Sequence, residues 1–344
     1  MKQEVTIYDL ANKLKLSPST ISRALNNHPA IKQETKDLVH STAQELGYRQ
    51  NIFAKNLRTR STMTIGIIIP KIDSYFLANV VSQMEQIAQL EGYNMIITQS
   101  QESLTKERAN AKTLFDSRID GLLVSTSFGD EDYSHFEPFF EKKIPIVFFD
   151  RTICKKGLHE VVINNRSGGK DATLHLLNQG CQNILHITGN IQKDVYKERY
   201  LGYLDAYQEK GMTPPLKHLE EIFLNTENSR ELIKKLHEGG EMPDGIFATN
   251  DNCLAAIQST LKELGYEIPR DIALFGFNDD PIASVVEPKL STIHYSAKEV
   301  GAAAIHRLLR LIKGEKIPLD ERLITLDYEV MLRGSSEKLI AQHA

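Results

Sequence analysis

"LSPSTISRALNNHP", residues 16–29, spends five of its fourteen positions on Ser, Thr and Arg. Ser17 followed by Pro18 reads as a helix start: a hydroxyl to cap, then a proline at the first helical position, where its missing N–H costs nothing. Ile21 and Leu25, four apart, give this helix an inward side, and Ser19, Ser22, Arg23 and Asn26 fall on the outward side. A helix that only served a core would not need so many short hydroxyls beside one guanidinium.

The flanking sequence turns that helix into part of a unit. Thr6 with Asp9 three residues on resembles a capping box, opening a helix with Ile7, Leu10, Ala11 and Leu14 on one face. Only Lys15 and Leu16 lie between the two helices, so the chain must turn sharply, as in a helix-turn-helix. A third helix is predicted from about Gln33 to Leu46, with Leu38, Thr42 and Leu46 in step and Gly47 as its stop. In a helix-turn-helix the second helix enters the major groove and its early residues reach base edges. Short hydroxyls there contact bases or phosphates, and an arginine pairs bidentately with guanine.

Charge agrees with a nucleic-acid role for this head. Residues 1–60 hold ten Lys/Arg against five Asp/Glu, a net of +5, whereas the remainder of the 344-residue chain is net −9 within an overall −4. A basic head on an acidic body fits a polyanion-binding module joined to a soluble partner region. The first residues, "MKQEVTIYDLANKLKLS", are too interrupted by charge for a secretory signal, and no run approaches the ~18 apolar residues of a membrane span. A cytoplasmic protein is expected. Cys154, Cys181 and Cys253 are far apart and lack metal-ligand spacing, so they read as reduced thiols.

From Thr64 the pattern alternates strands with helices: "TIGIII", "YNMIIT", "IDGLLVS", "IPIVFFD", "HEVVIN", "NILHIT", "DGIFAT" and "DIALFGF" are short apolar runs with helical stretches between most of them. Continuous apolar strands of this kind predict parallel sheets covered on both faces. Roughly ten strands exceed what one compact sheet usually holds, so two lobes are expected, the pattern restarting near Val161. A cleft lined by strand carboxyl ends is the expected ligand site.

Taken together, "TIYDLANKLKLSPSTISRALNN", "ELGYRQNIFAKNLR" and the α/β region after them resemble the LacI/GalR family of bacterial transcriptional regulators, from about Val5 to Ser335. The resemblance implies an α/β chain with a helix-turn-helix head over residues 1–60, a hinge helix over 51–60, and a two-lobed, doubly wound, periplasmic-binding-protein-like body over 61–344. It places the N-lobe at about 62–162 and 295–323, and the C-lobe at about 163–294 and 324–336. It implies Tyr8, Ser17, Ser19, Thr20, Ser22, Arg23 and Asn26 as DNA contacts of the head. Asn51, Ala54 and Leu57 match the hinge helix, Leu57 being the wedge that enters the minor groove. Alone, the hinge is below the ~12–15 residues at which isolated helices become even marginal in water. The chain departs from the family pattern at Lys15, where glycine is usual in the turn, at Gln50, where proline is common, and at Lys32, often a Ser or Thr cap.

In the cleft the resemblance nominates Phe76 as an aromatic wall, Ser125, Asp150, Arg199, Asn250 and Asn278 as polar contacts to a small effector, a sugar or sugar derivative. Amides and carboxylates hydrogen-bond hydroxyls, and an aromatic face stacks on a ring. Arg199 could instead be a structural ion-pair partner, and Ser125 or Asn250 could simply cap a helix.

Other motifs fail. "NNRSGGKDA" lacks phosphate-loop spacing and reads as a helix start, and "GDEDYSH" and "FNDDP" lack calcium-loop spacing. No catalytic residue, metal or cofactor is expected. The expected function is a sequence-specific DNA-binding regulator, a repressor of a carbohydrate-utilisation operon. Its partners are double-stranded operator DNA, a small-molecule effector and a second copy of the chain, with no membrane. The alternatives are a sugar-binding protein without a DNA role and an α/β sugar-modifying enzyme.

Overall fold

The computed structural model of the chain describes residues 5–48, 61–127, 132–153 and 157–338. The chain divides into two compact units, Met1–Thr62 and Met63–Ala344. Gln50 and the hinge candidates Asn51, Ala54 and Leu57 lie outside the described residues.

The head holds α1 (Ile7–Leu14), α2 (Pro18–Leu25) and α3 (Gln33–Leu46). The capping box forms as its residue types dictate: Asp9 N–H donates to Thr6 Oγ1, and Thr6 N–H donates to Asp9 Oδ2 at 2.7 Å. Ser17 Oγ accepts from Thr20 N–H at 3.1 Å, with Pro18 first in α2. Lys15 makes the turn in the left-handed region, at φ 51° and ψ 38°, where glycine would be unstrained and a side chain costs about 1 kcal/mol. Lys32 precedes α3 without a side-chain cap, and Gly47 ends it at φ 65°. The buried set is Leu10, Ala11, Ile21, Ala24, Val39 and Ala43. One expectation is corrected here. Leu38 is 52% exposed; Thr42 is buried as expected, and α3 turns Val39 and Ala43 inward beside it. A helix repeating every 3.6 residues offers two adjacent stripes, and the stripe through Val39 and Ala43 is the one that meets Ile21 and Leu10.

The body begins with β1 (Thr64–Ile69), α4 (Tyr75–Leu90), β2 (Asn94–Gln99), α5 (Leu104–Asp116), β3 (Gly121–Val124), α6 (Glu137–Glu141), β4 (Ile146–Phe149) and β5 (His159–Ile163). It continues with α7 (Asn165–Asn178), β6 (Ile184–Thr188), α8 (Asp194–Glu209), β7 (Leu219–Glu221), α9 (Thr226–Glu238), β8 (Gly245–Ala248) and α10 (Asp251–Glu263). The last elements are β9 (Ala273–Asn278), α11 (Ile282–Val285), β10 (Ser291–His294), α12 (Ala297–Ile312), β11 (Leu323–Leu326) and β12 (Glu329–Met331). Two six-stranded sheets result, ordered β11-β5-β4-β3-β1-β2 and β12-β10-β9-β8-β6-β7. All pairs are parallel except β10 with β12.

The central strands β3, β4, β6 and β8 are buried at every position, as expected of strands covered on both faces; β3, β4 and β8 are apolar throughout, and β6 also buries His186 and Thr188. The chain passes between the sheets three times, after β5, after β10 and after β11. The third passage follows Leu326, so β11 belongs to the first sheet beside β5, three residues beyond the expected boundary at 323. In each lobe two helices meet at glycine. A Cβ on Gly301 of α12 would overlap the Val80 carbonyl of α4. In the C-lobe, Cβ atoms on Gly169 of α7 and Gly202 of α8 would strike the Arg199 and Arg166 carbonyls. "NNRSGGKDA" is thus the start of α7, capped by Asn164; its Gly169 admits α8, and its Gly168 faces Phe277 and Ile293.

Candidate functional site

On the head, α2 carries a polar outer side. Ser17 Oγ lies 2.8 Å from both Ser19 Oγ and Thr20 Oγ1, so three hydroxyls are pre-ordered at the helix start. Tyr8, Ser17, Ser19, Arg23 and Asn26 are exposed, and Thr20 and Ser22 are half-buried. Asn26 is partly committed: its Nδ2 donates to the Ser22 carbonyl at 2.7 Å and closes the helix end. Arg23 and Ser19 stand exposed on this side.

In the body, four of the six predicted cleft residues come from equivalent strand ends of the two lobes, and Phe76 and Arg199 come from helices α4 and α8. Asp150 follows β4 at φ 58°, and Asn278 ends β9 at φ 109°. Two non-glycine residues held at positive φ are strained, and the surrounding structure must hold them there. Ser125 is buried after β3 and its Oγ donates to Asp150 Oδ2 at 3.4 Å. Burial pushes the Asp150 carboxyl up to about 6, against the pull of the Arg151 and Arg199 charges. Arg199, held by α8, donates Nε to Asn165 Oδ1 at 2.8 Å and Nη1 to the Thr249 carbonyl at 2.9 Å. Its guanidinium lies 3.6 Å over the Phe277 ring. Tyr295 joins these groups: its ring is 4.8 Å from that of Phe76, and its hydroxyl donates to Asn278 Oδ1 at 3.0 Å. Sequence reasoning did not single out Tyr295; its position after β10 was hidden with that strand.

The open space between the lobes is a cavity of about 350 Å³ bounded by Lys71, Tyr75, Arg151, Tyr196, Phe223 and Asn250, among others. Of the six predicted effector residues, only Asn250 is on its wall. Of the other five, Phe76, Asp150, Arg199 and Asn278 lie near Tyr295 off that wall, and Ser125 is bonded to Asp150. Asn250 also caps α10, accepting from Cys253 N–H at 3.1 Å. Phe223, 52% exposed, supplies the aromatic face at the cavity, with Lys71 Nζ 4.6 Å over its ring. A second, larger hollow of about 570 Å³ lies between β5, the approach to β11 and α8, bounded by Leu158, Glu160, Leu319, Thr152, Asp194 and Glu198. None of the predicted effector residues lines it.

Among the described residues, three further contacts cross from lobe to lobe. Lys71 covers Phe223 as described. Arg151 Nη2 donates to Tyr196 Oη at 3.2 Å, while its Nη1 is forked onto Glu102 at 2.8 and 2.9 Å. Burial opposes the Arg151 charge, but Tyr196, Glu102 and Asp150 around it hold the guanidinium above its usual range. Thr152 donates both its N–H, at 2.8 Å, and its hydroxyl, at 3.0 Å, to Asp194 Oδ2. The "DRT" run of residues 150–152 had been read for its aspartate alone; its two neighbours carry the crossing contacts.

Residues 6–51 match the family described as "Bacterial regulatory proteins, lacI family", and residues 173–336 match a "Periplasmic binding protein-like domain". The chain is 30% identical to the ribose operon repressor of Halalkalibacterium halodurans, over 94% of each chain. It is 30% identical to the HTH-type transcriptional regulator RegA of Clostridium saccharobutylicum, over 96% of this chain and 99% of the other. It is 27% identical to catabolite control protein A of Priestia megaterium, over 97% and 99%. Among solved structures, the lac repressor dimer bound to operator and the anti-inducer ONPF superposes with a TM-score of 0.86 at 20% identity, over 97% of this chain and 99% of that one. A complex of the transcriptional regulator CelR with cellobiose superposes at 0.72 and 22% identity, over 96% and 100%. Among the described residues no helix is long and apolar enough to cross a membrane.

Proposed function

The chain belongs to the LacI family of bacterial regulatory proteins, and from that we propose that it represses a carbohydrate-utilisation operon as a homodimer, under control of a small effector held between the lobes. Membership makes it a DNA-binding transcriptional regulator and not an enzyme, and the transport and enzyme alternatives fall with it. The observation that carries the reading is the outer side of α2, where Arg23 and Ser19 stand exposed beside a pre-ordered hydroxyl cluster. Residues 1–60 form the DNA-binding part, with residues 51–60 as hinge, and residues 61–344 sense the effector. The protein works in the cytoplasm, where its operator is.

Carbohydrate is favoured by the ribose repressor among the relatives and the cellobiose complex among the structures. It is also favoured by the amide-rich cavity with Phe223 as a stacking face. A homodimer is favoured by the edge strand β2, whose Ile96 and Ile97 are exposed next to Leu90 at the end of α4. Two heads related by a two-fold axis match a palindromic site. The effector shifts DNA binding because it binds two lobe arrangements unequally; equal binding would shift nothing.

Selection of sites from a pool of random duplexes, followed by titration, tests the DNA half. Arg23→Ala should weaken binding to the selected site by ~1–3 kcal/mol and relax base preference. Affinity of the parent should fall steeply with salt as counterions are released. Unchanged affinity and preference in the variant would remove Arg23 from the interface. Calorimetry with pentoses, hexoses and disaccharides tests the other half, and an absence of heat across the panel would sink the carbohydrate assignment.

A further inference from the structure

The contact between Thr152 and Asp194 differs in kind from the other two crossings. Arg151, Tyr196, Lys71 and Phe223 all line the 350 Å³ cavity, so a molecule placed there would touch them. Thr152 and Asp194 line the larger hollow on the other side of the crossing. They join the lobes without standing where an effector would sit. The geometry is that of a specific clasp. One carboxylate oxygen takes both donors of a single residue, and the other oxygen accepts from Val195 N–H at 2.9 Å. The Asp194 carboxylate is the first residue of α8, and Lys193 before it offers no side-chain cap. The carboxylate is thus fixed by its own helix and presented to the N-lobe.

We infer that Thr152 and Asp194 are positioning residues whose clasp sets how far the lobes are closed before any effector binds. Hydrogen bonds to a charged acceptor are stronger than neutral ones. Here two of them act between bodies also joined by three chain passages, the contacts at the cavity and the Phe76–Tyr295–Asn278 contacts. A ligand that needs one lobe arrangement has its apparent affinity scaled by the fraction of molecules already in it. The clasp therefore tunes effector sensitivity without contributing an effector contact. The inference rests on the proposed regulation for its consequence on DNA, and on the body alone for its mechanical part.

The Thr152 amide reports the clasp directly, because its N–H crosses the interface. Hydrogen exchange of the full chain, followed over residues 150–153, should accelerate on the order of tenfold in Asp194→Ala. A smaller acceleration is expected in Thr152→Val, which keeps the N–H and loses the hydroxyl. Thr152→Ser keeps both donors and should behave as the parent. The double variant should be no faster than Asp194→Ala alone, and β4 and the middle of α8 should stay protected in all of them. Exchange at Thr152 as slow in Asp194→Ala as in the parent would overturn the inference, as would acceleration that runs through α8 and spares Thr152. On duplex sites selected by the parent, Asp194→Ala without added sugar should change affinity several-fold, and Thr152→Ser should bind as the parent does. Faster exchange with unchanged DNA affinity would overturn the regulatory role. A parent that selects no duplex at all would instead strike the proposed function, leaving the exchange result readable by itself.

Discussion

The two lobes share one strand order and use it to different ends. Reading from the edge, β2-β1-β3-β4-β5 in the first lobe corresponds to β7-β6-β8-β9-β10 in the second. Asp150 and Asn278 therefore occupy the same topological position, and both are held at positive φ. The C-lobe stitches its strand ends to one another: buried Asp251 accepts from Asp280 N–H and from Thr292 Oγ1, each at 2.9 Å. The N-lobe sends Arg151 and Thr152 outward, to Tyr196 and Asp194 of α8. The last strand differs too, parallel in β11 and antiparallel in β12. The C-lobe is built as a fixed receiver and the N-lobe as the side that reaches. Equal topology does not make equal mechanics.

The largest expected effect probes the helix pairs beneath that difference. The C-lobe pair has glycine on both helices where they cross, and the N-lobe pair has it on one. Gly202→Ala should destabilise the chain by about 2–3 kcal/mol, because the new methyl meets backbone that cannot turn aside. Gly301→Ala should cost less, since only one helix must give way. Urea melts of both variants check the order, and a larger loss in Gly301→Ala would reverse the contrast.

Next is titration. The Asp150 carboxyl is raised to about 6, chiefly by burial, from an unfolded value near 3.8. The folded chain then holds that proton more tightly than the unfolded chain. The stability it contributes is present below about pH 4 and is lost as pH rises through about 6. Asp150→Asn should remove that decline, leaving the variant more stable than the parent at pH 7 by on the order of 1 kcal/mol. Asn278→Asp should bring a decline of its own over the same range. Denaturant midpoints from pH 4 to pH 7 decide this, and an unchanged slope in Asp150→Asn would show that the carboxyl is not responsible.

The smallest effect concerns Tyr295, which stands between the two positions. Tyr295→Phe removes the hydroxyl bonded to Asn278 and should cost about 0.5–1.5 kcal/mol while keeping the ring against Phe76. A cost nearer to that of losing the whole ring would mean the hydroxyl holds more than Asn278.

The head was legible because its signals are local. Thr6 with Asp9, Ser17 with Pro18, and Gly47 each act on backbone groups within four residues. The choice between Leu38 and Val39 was not, because only a neighbouring helix distinguishes adjacent stripes. In the body the central strands announced themselves as apolar runs, while β7, β10, β11 and β12 are short and partly polar and passed unread. Asp150, Arg199 and Asn278 were nominated through the family resemblance. Arg151, Thr152, Asp194 and Tyr196 were missed because their meaning lies in a partner about 40 residues away in sequence. The resemblance also nominated Ser125 and Phe76, whose partners here are Asp150 and Tyr295.

The three passages between the sheets also constrain how the protein can be made. Domains of a growing chain usually fold as units from the N-terminal end. Here the first sheet lacks its outer strand until Leu323–Leu326 has emerged, and it lacks α12, which packs against β3, β4 and β5, until Ala297–Ile312 has. By then every strand of the second sheet except β12 has been synthesised. The ribosome therefore delivers two unfinished lobes that are completed within a few residues of each other. The earlier one must wait with the apolar flank of β3 and β4 uncovered for most of translation.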